Sequence, residues 1–179
     1  MINLISFFYK FRYEKKENST KLNDFISEAK LYVKNNFCPN EEDNYPEITE
    51  FYQISYDGIL EDEDMEPSFS QMLFKFIKQQ GISETKCYKD ANIDRRLFSK
   101  IRSDDEYQPK KTTVFSFIIG LKLNLEDAKK LLDCAGYSLS RSKKQDIIIE
   151  YVIKKQIYDV NIVNEILYNL GCPILGGKD

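Results

Sequence analysis

Beyond Pro67 the chain sets apolar residues at helical spacing, with stop and cap residues between the runs. In "FSQMLFKFIKQQG", Phe69, Met72, Leu73, Phe76 and Ile77 share one face. Ser68 or Ser70 opens this helix and Gly81 closes it. Ser83 opens "ETKCYKDAN", Asn92 supplies the left-handed residue of a tight turn, and Asp94 caps "RRLFSKIRS". In that third helix Leu97 or Phe98 and Ile101 point inward, while Arg95, Arg96, Ser99, Lys100 and Arg102 point outward. "KTTVFSFIIGLKL" is strongly apolar. "NLEDAKKLLDCAGY" has Asn124 as cap, acids in its first turn and Gly136 at its end. Residues 142–155 and 159–170 bring the expected helices beyond Pro67 to seven.

The first part of the chain reads less clearly. Residues 2–13 are too apolar all round to separate helix from strand. Residues 20–36 are helical, with Leu22, Phe25, Ile26, Ala29 and Val33 recurring on one side. "FCPNEEDNYPE" is a loop, "ITEFYQISYDG" suggests a strand over about 48–56, and "ILEDEDMEPS" is an acidic hinge. The expected fold is therefore mainly α. A helical bundle over 67–179 follows an acidic N-terminal segment, 1–66, of α/β or extended structure. The bundle is expected to fold alone, and the closing "ILGGKD" reads as a flexible tail.

Charge sharpens this division. Of 26 Lys+Arg and 29 Asp+Glu, residues 1–66 hold 7 and 15, a balance of -8, and the remainder hold 19 and 14, a balance of +5. A basic body behind an acidic arm suggests a surface for an acidic partner, which the arm can also mask by folding back. There is no histidine, which removes Ser-His-Asp and Cys-His catalysis and His-ligated zinc. Cys38, Cys87, Cys134 and Cys172 form no CxxC pair and read as reduced structural thiols. The apolar start lacks the basic flank and small-residue cleavage site of a secretory signal, and no run is long enough to span a membrane. The expectation is a cytoplasmic protein that is not an enzyme and carries no cofactor or metal.

Helix, tight turn and helix, with cations at the start of the second helix, is the arrangement that lays a helix in the DNA major groove. Arg95, Arg96, Ser99, Lys100 and Arg102 would face base edges and phosphates there, and Lys110 and Lys111 would meet the backbone from the following loop. On "ISETKCYKDANIDRRLFSKIRS" and "TTVFSFIIGLKLNLEDAKKLL" the chain resembles the Xre-like, phage-repressor type of helix-turn-helix domain. More closely, residues 67–175 resemble a helical module of low-GC bacteria that occurs alone or at the carboxy terminus. Its marks "YKxANIDRxLFSKIRS" and "LLxxAGYxLSxSxxxDxIIEY" correspond to Tyr88–Ser103 and Leu131–Tyr151, and a third falls on Tyr158–Leu167.

The resemblance implies a DNA-binding transcriptional regulator that acts as a homodimer. The chain departs from the repressor pattern at Tyr88, where a small residue is usual, and predicts there a wider helix crossing or a shifted register. It departs again in the acids Asp104, Asp105 and Glu106. These departures support a second reading. In it the protein is a protein–protein adaptor on the same scaffold, of phage or phage-defence origin, with Leu97 or the acidic arm as the partner contact. "SLSRSKK", residues 138–144, is a second basic patch, read as the polar loop that opens the next helix.

Overall fold

The structure, a computed structural model, describes residues 4–37 and 67–176, with side chains from Thr20 onward. It contains eight helices among the described residues: α1 Leu4–Asn36, α2 Phe69–Gln79, α3 Glu84–Asp90, α4 Arg95–Ser103, α5 Lys111–Gly120, α6 Leu125–Asp133, α7 Lys144–Lys154 and α8 Val160–Asn169. No strand occurs among these residues, and the fold is mainly α. The strand expected over 48–56 lies outside the described residues.

One corner recurs through the bundle. Gly81, Asn92, Lys122, Gly136, Gln156 and Gly171 each follow a helix and take positive φ. The N–H of the next residue then reaches back five residues to a carbonyl, as from Ile93 to Tyr88 (2.8 Å), Leu123 to Ile118 (3.0 Å) and Ile157 to Val152 (2.9 Å). That next residue is apolar and turned inward: Ile93, Leu123 and Ile157 are all buried. A polar residue then caps the following helix, as Ser83, Asp94, Asn124 and Asp159 do. The sequence steps "GIS", "NID", "KLN" and "QIYD" are this corner written out. At Lys122 and Gln156 a side chain occupies the left-handed region at a cost of roughly 1 kcal/mol each. Ser68 rather than Ser70 caps α2, in a full capping box with Gln71. Ser70 is buried and donates to the Ile101 carbonyl (2.8 Å).

α5 is the centre. Every residue from Thr113 to Gly120 is buried, with α3, α6 and α8 packed around it. The end of α3 crosses α5 so closely that a Cβ on Gly120 would sit 2.6 Å from the Ala91 backbone nitrogen. Gly120→Ala is accordingly expected to cost about 1–3 kcal/mol, since the contact is with backbone and cannot relax through a rotamer. An unchanged urea midpoint would show that the crossing can open.

α1 is a single helix about 50 Å long, so residues 2–13, left open between helix and strand, fall from Leu4 onward in its first turns. Its second half lies across α7 and α8, with Ile26 and Ala29 buried in the common core. Polar contacts latch it there. The Tyr151 hydroxyl donates to Glu28 Oε2 (3.1 Å), and Lys155 pairs with the same oxygen (2.6 Å). Lys154 donates to the Tyr32 hydroxyl (2.9 Å), and Arg141 to Asn36 Oδ1 (2.6 Å).

The Lys155 and Tyr151 hydrogen bonds hold the Glu28 carboxyl below its ordinary 4.5. At Glu150 burial opposes the charge, but the hydrogen bond and charge of Lys154 outweigh it and lower its value too. A lowered carboxyl contributes stability above its unfolded value and loses it as pH falls through the folded one. Below about pH 4, amide exchange in the second half of α1 is therefore expected to quicken before that of α5. Equal rates in the two helices at acid pH would show that these carboxylates do not hold α1.

The carboxy-terminal reading needs correction. Leu175 is buried, and Asn164 grips its backbone twice, accepting from its N–H (2.7 Å) and donating to its carbonyl (2.9 Å). The Gly176 N–H donates to Ser116 Oγ (3.0 Å), and a Cβ on Gly176 would meet Asn92 at 2.6 Å. Residues 174–176 are thus strapped across α8 and α5 to the α3–α4 turn.

Candidate nucleic-acid interface

α4 is held from behind by an aromatic cluster. The Phe98 ring meets Phe74 (5.6 Å), Tyr88 (5.4 Å) and Phe117 (6.1 Å), and Ile101 is fully buried. Tyr88, which departs from the repressor pattern, is thus half-buried and serves as the packing contact between α3 and α4. The Asp94 carboxylate caps the helix by accepting from the Arg96 N–H (2.7 Å). Leu97 is only partly exposed and packs against the core.

This backing leaves Arg95, Arg96, Ser99 and Lys100 exposed. At 3.6 residues per turn they span an arc of about 140°, roughly the width a groove-lying helix presents. Neither Arg95 nor Arg96 meets a carboxylate among the described residues. Lys100 lies over the Tyr107 ring at 4.8 Å, which steadies the ammonium without neutralising it.

The other expected residues are placed differently. Arg102 is exposed but ion-paired with Glu84 of α3, and its guanidinium lies 5.7 Å from the Phe98 ring centre, so it stitches the two helices. Lys110 is exposed at the start of α5. Lys111 does not join the surface. Its ammonium donates to Asp146 Oδ2 (2.5 Å) and to the Ser138 carbonyl (2.6 Å), and only 19% of its side chain is accessible. Asp104, Asp105 and Glu106 are exposed at the far end of α4, roughly 13 Å along the axis from Arg95. The Asp104 carboxylate accepts from the Glu106 N–H (3.2 Å).

A cleft of about 660 Å³ opens among three of the left-handed corners, at Asn92, Lys122 and Gln156, with Asp159 and Tyr158 on its wall. The Asp159 carboxylate is spent capping α8, and the Tyr158 hydroxyl donates to the Leu123 carbonyl (2.9 Å). Cys87 is buried, which together with the nearby Asp90 charge pushes its thiol up to about 12 and keeps it from acting as a thiolate. Among the described residues no group of three side chains is placed to hold a metal, and no helix is long and apolar enough to cross a membrane. No family model, curated protein or solved structure matches the chain.

Proposed function

We propose that the protein binds duplex DNA through α4 and acts as a sequence-specific transcriptional regulator without catalytic activity. One observation carries this reading. Arg95, Arg96, Ser99 and Lys100 share one exposed arc of a helix whose opposite face is fixed by Phe98 and Ile101. A rigid helix that presents arginines at its N-terminal turn suits guanine edges and flanking phosphates. Lys110, on the segment after α4, adds a backbone contact, and the resemblance to the Xre-like group points the same way.

One such helix buries too little surface for specific affinity, so the active form is a homodimer on two half-sites. Tyr168 of α8 and Ile174 beyond it, 75% and 54% exposed, are two of the exposed apolar residues that could make that contact, with Leu31 of α1 and Phe37 just after it as the others among the described residues. The adaptor reading through Leu97 has less support, because Leu97 packs against the core and offers little surface to a partner.

The test is fluorescence anisotropy of the full chain on a mixed-sequence DNA duplex across a salt series. Affinity is expected to fall linearly on logarithmic axes, with a slope that counts displaced phosphate counterions. Absence of binding at low salt, where electrostatics help most, would remove the DNA reading and leave the adaptor.

A further inference from the structure

The basic loop between α6 and α7 is not isolated from the α4 surface. The segment that leaves α4 is stitched to it by three bonds. Gln108 Nε2 donates to the Ala135 carbonyl (2.5 Å), the Tyr137 hydroxyl to the Pro109 carbonyl (3.0 Å), and the Lys111 ammonium to the Ser138 carbonyl (2.6 Å). From below, Asp146 Oδ2 accepts from the Ser140 N–H (2.8 Å), while the Ser140 and Ser142 hydroxyls lie 2.7 Å apart. The loop is therefore a built shelf, fixed beside Lys110 at the start of α5. From Ser103 to Lys110 the chain can span at most about 25 Å, so shelf and α4 can meet one duplex.

The shelf is uniformly basic. No acid occurs between Asp133 and Asp146, while Arg141, Lys143 and Lys144 are all present and exposed. None of the three pairs with a carboxylate among the described residues. Arg141 donates to the Asn36 amide oxygen and Lys144 to the Leu170 carbonyl (3.2 Å), contacts that orient the side chains without neutralising them; Arg141 also feels the Glu150 carboxylate, which Lys154 already pairs. The two charges that would complicate the shelf, Lys111 and Asp146, cancel each other beneath it.

We infer that Arg141 and Lys143 form a second backbone-phosphate contact on the same DNA that α4 reads. This rests on the DNA-binding reading above and extends its footprint beyond the helix, turn and helix. Phosphate contacts position a protein without reading sequence, so this shelf would set the orientation of α4 and contribute nothing to base preference.

The experiment measures the full chain carrying Arg141→Ala with Lys143→Ala on duplex DNA over the same salt series. Each lost phosphate contact lowers the slope of log affinity against log salt by about 0.9, so the pair is expected to lower it by nearly 2, equally on every duplex sequence. Lys143→Arg with Arg141→Lys keeps both charges and should retain the slope. A slope unchanged by the alanine pair, in a protein that melts as the parent does, would overturn the proposal while leaving the α4 reading intact. Loss of preference between duplexes would also overturn it, because that would make the shelf a reading element. If the unsubstituted chain binds no duplex at low salt, both the shelf and the reading fall. If the shelf pair abolishes binding while substitutions in α4 have no effect, the proposal is overturned as well, because the shelf would then be the principal contact and not a second one beside α4.

Discussion

Asp146→Ala is expected to lower the stability of the protein by about 3–5 kcal/mol, and its melting temperature by about 6–20 °C. The Asp146 side chain is 2% accessible, and one of its oxygens accepts both the Lys111 ammonium and the Ser140 N–H. Removing the carboxylate strands a mostly buried ammonium with the Ser138 carbonyl and the face of the Phe115 ring as its remaining contacts, and leaves an amide hydrogen without an acceptor. The cost comes from the uncompensated charge more than from the lost attraction, because an intact buried pair gains little over apolar residues of equal volume. Two controls separate these causes. Asp146→Asn keeps the volume and an acceptor, and should cost less than alanine. Asp146→Leu combined with Lys111→Met removes both charges and should cost less than the sum of the two single changes. Strict additivity of that pair would show that the two groups do not depend on each other, and that Asp146 matters only for the loop.

This pair also shows where the sequence is legible and where it is silent. The caps at Ser83, Asp94 and Asn124 and the inward residues of α4 follow from neighbours within four positions, so spacing alone predicts them. Lys111 reads as a surface cation next to Lys110, because nothing local announces a partner that is 35 residues away. Arg102 is similar, since its Glu84 partner belongs to the preceding helix. The strap at Leu175 is held by Asn164 through backbone atoms, and a backbone partner leaves no trace in side-chain pattern. The all-round apolar character of residues 2–13 gives no period to read, so the length of α1 emerged only with the helix itself. Tyr88 was visible as a departure, but its use as a ring against Phe98 depends on how α3 and α4 cross. The candidate surface is thus local and legible in α4 itself, and non-local where Lys111 leaves it.

Arg95→Ala with Lys100→Ala should reduce affinity for a preferred duplex by at least about 30-fold, and should flatten the preference among duplexes. Two contacts to base edges or adjoining phosphates at about 1–3 kcal/mol each predict a loss in this range. The fold should hold. Both side chains are exposed, the Asp94 cap accepts from a backbone N–H that remains, and Phe98 and Ile101 still anchor the helix. The stability cost should stay near that of the Lys100–Tyr107 contact, about 0.5–1 kcal/mol. Arg102→Ala is the matched comparison. Its guanidinium is committed to Glu84 in an exposed pair, side chains 55% and 40% accessible. Such a pair contributes at most about 1 kcal/mol, and its removal should shift affinity far less than the double change. The order of effects is the decisive readout. Normal binding by the Arg95, Lys100 variant, with a normal melt, would show that α4 is not the reading helix. An Arg102 effect as large as the double variant's would move the contact surface from the N-terminal arc of α4 to its seam with α3.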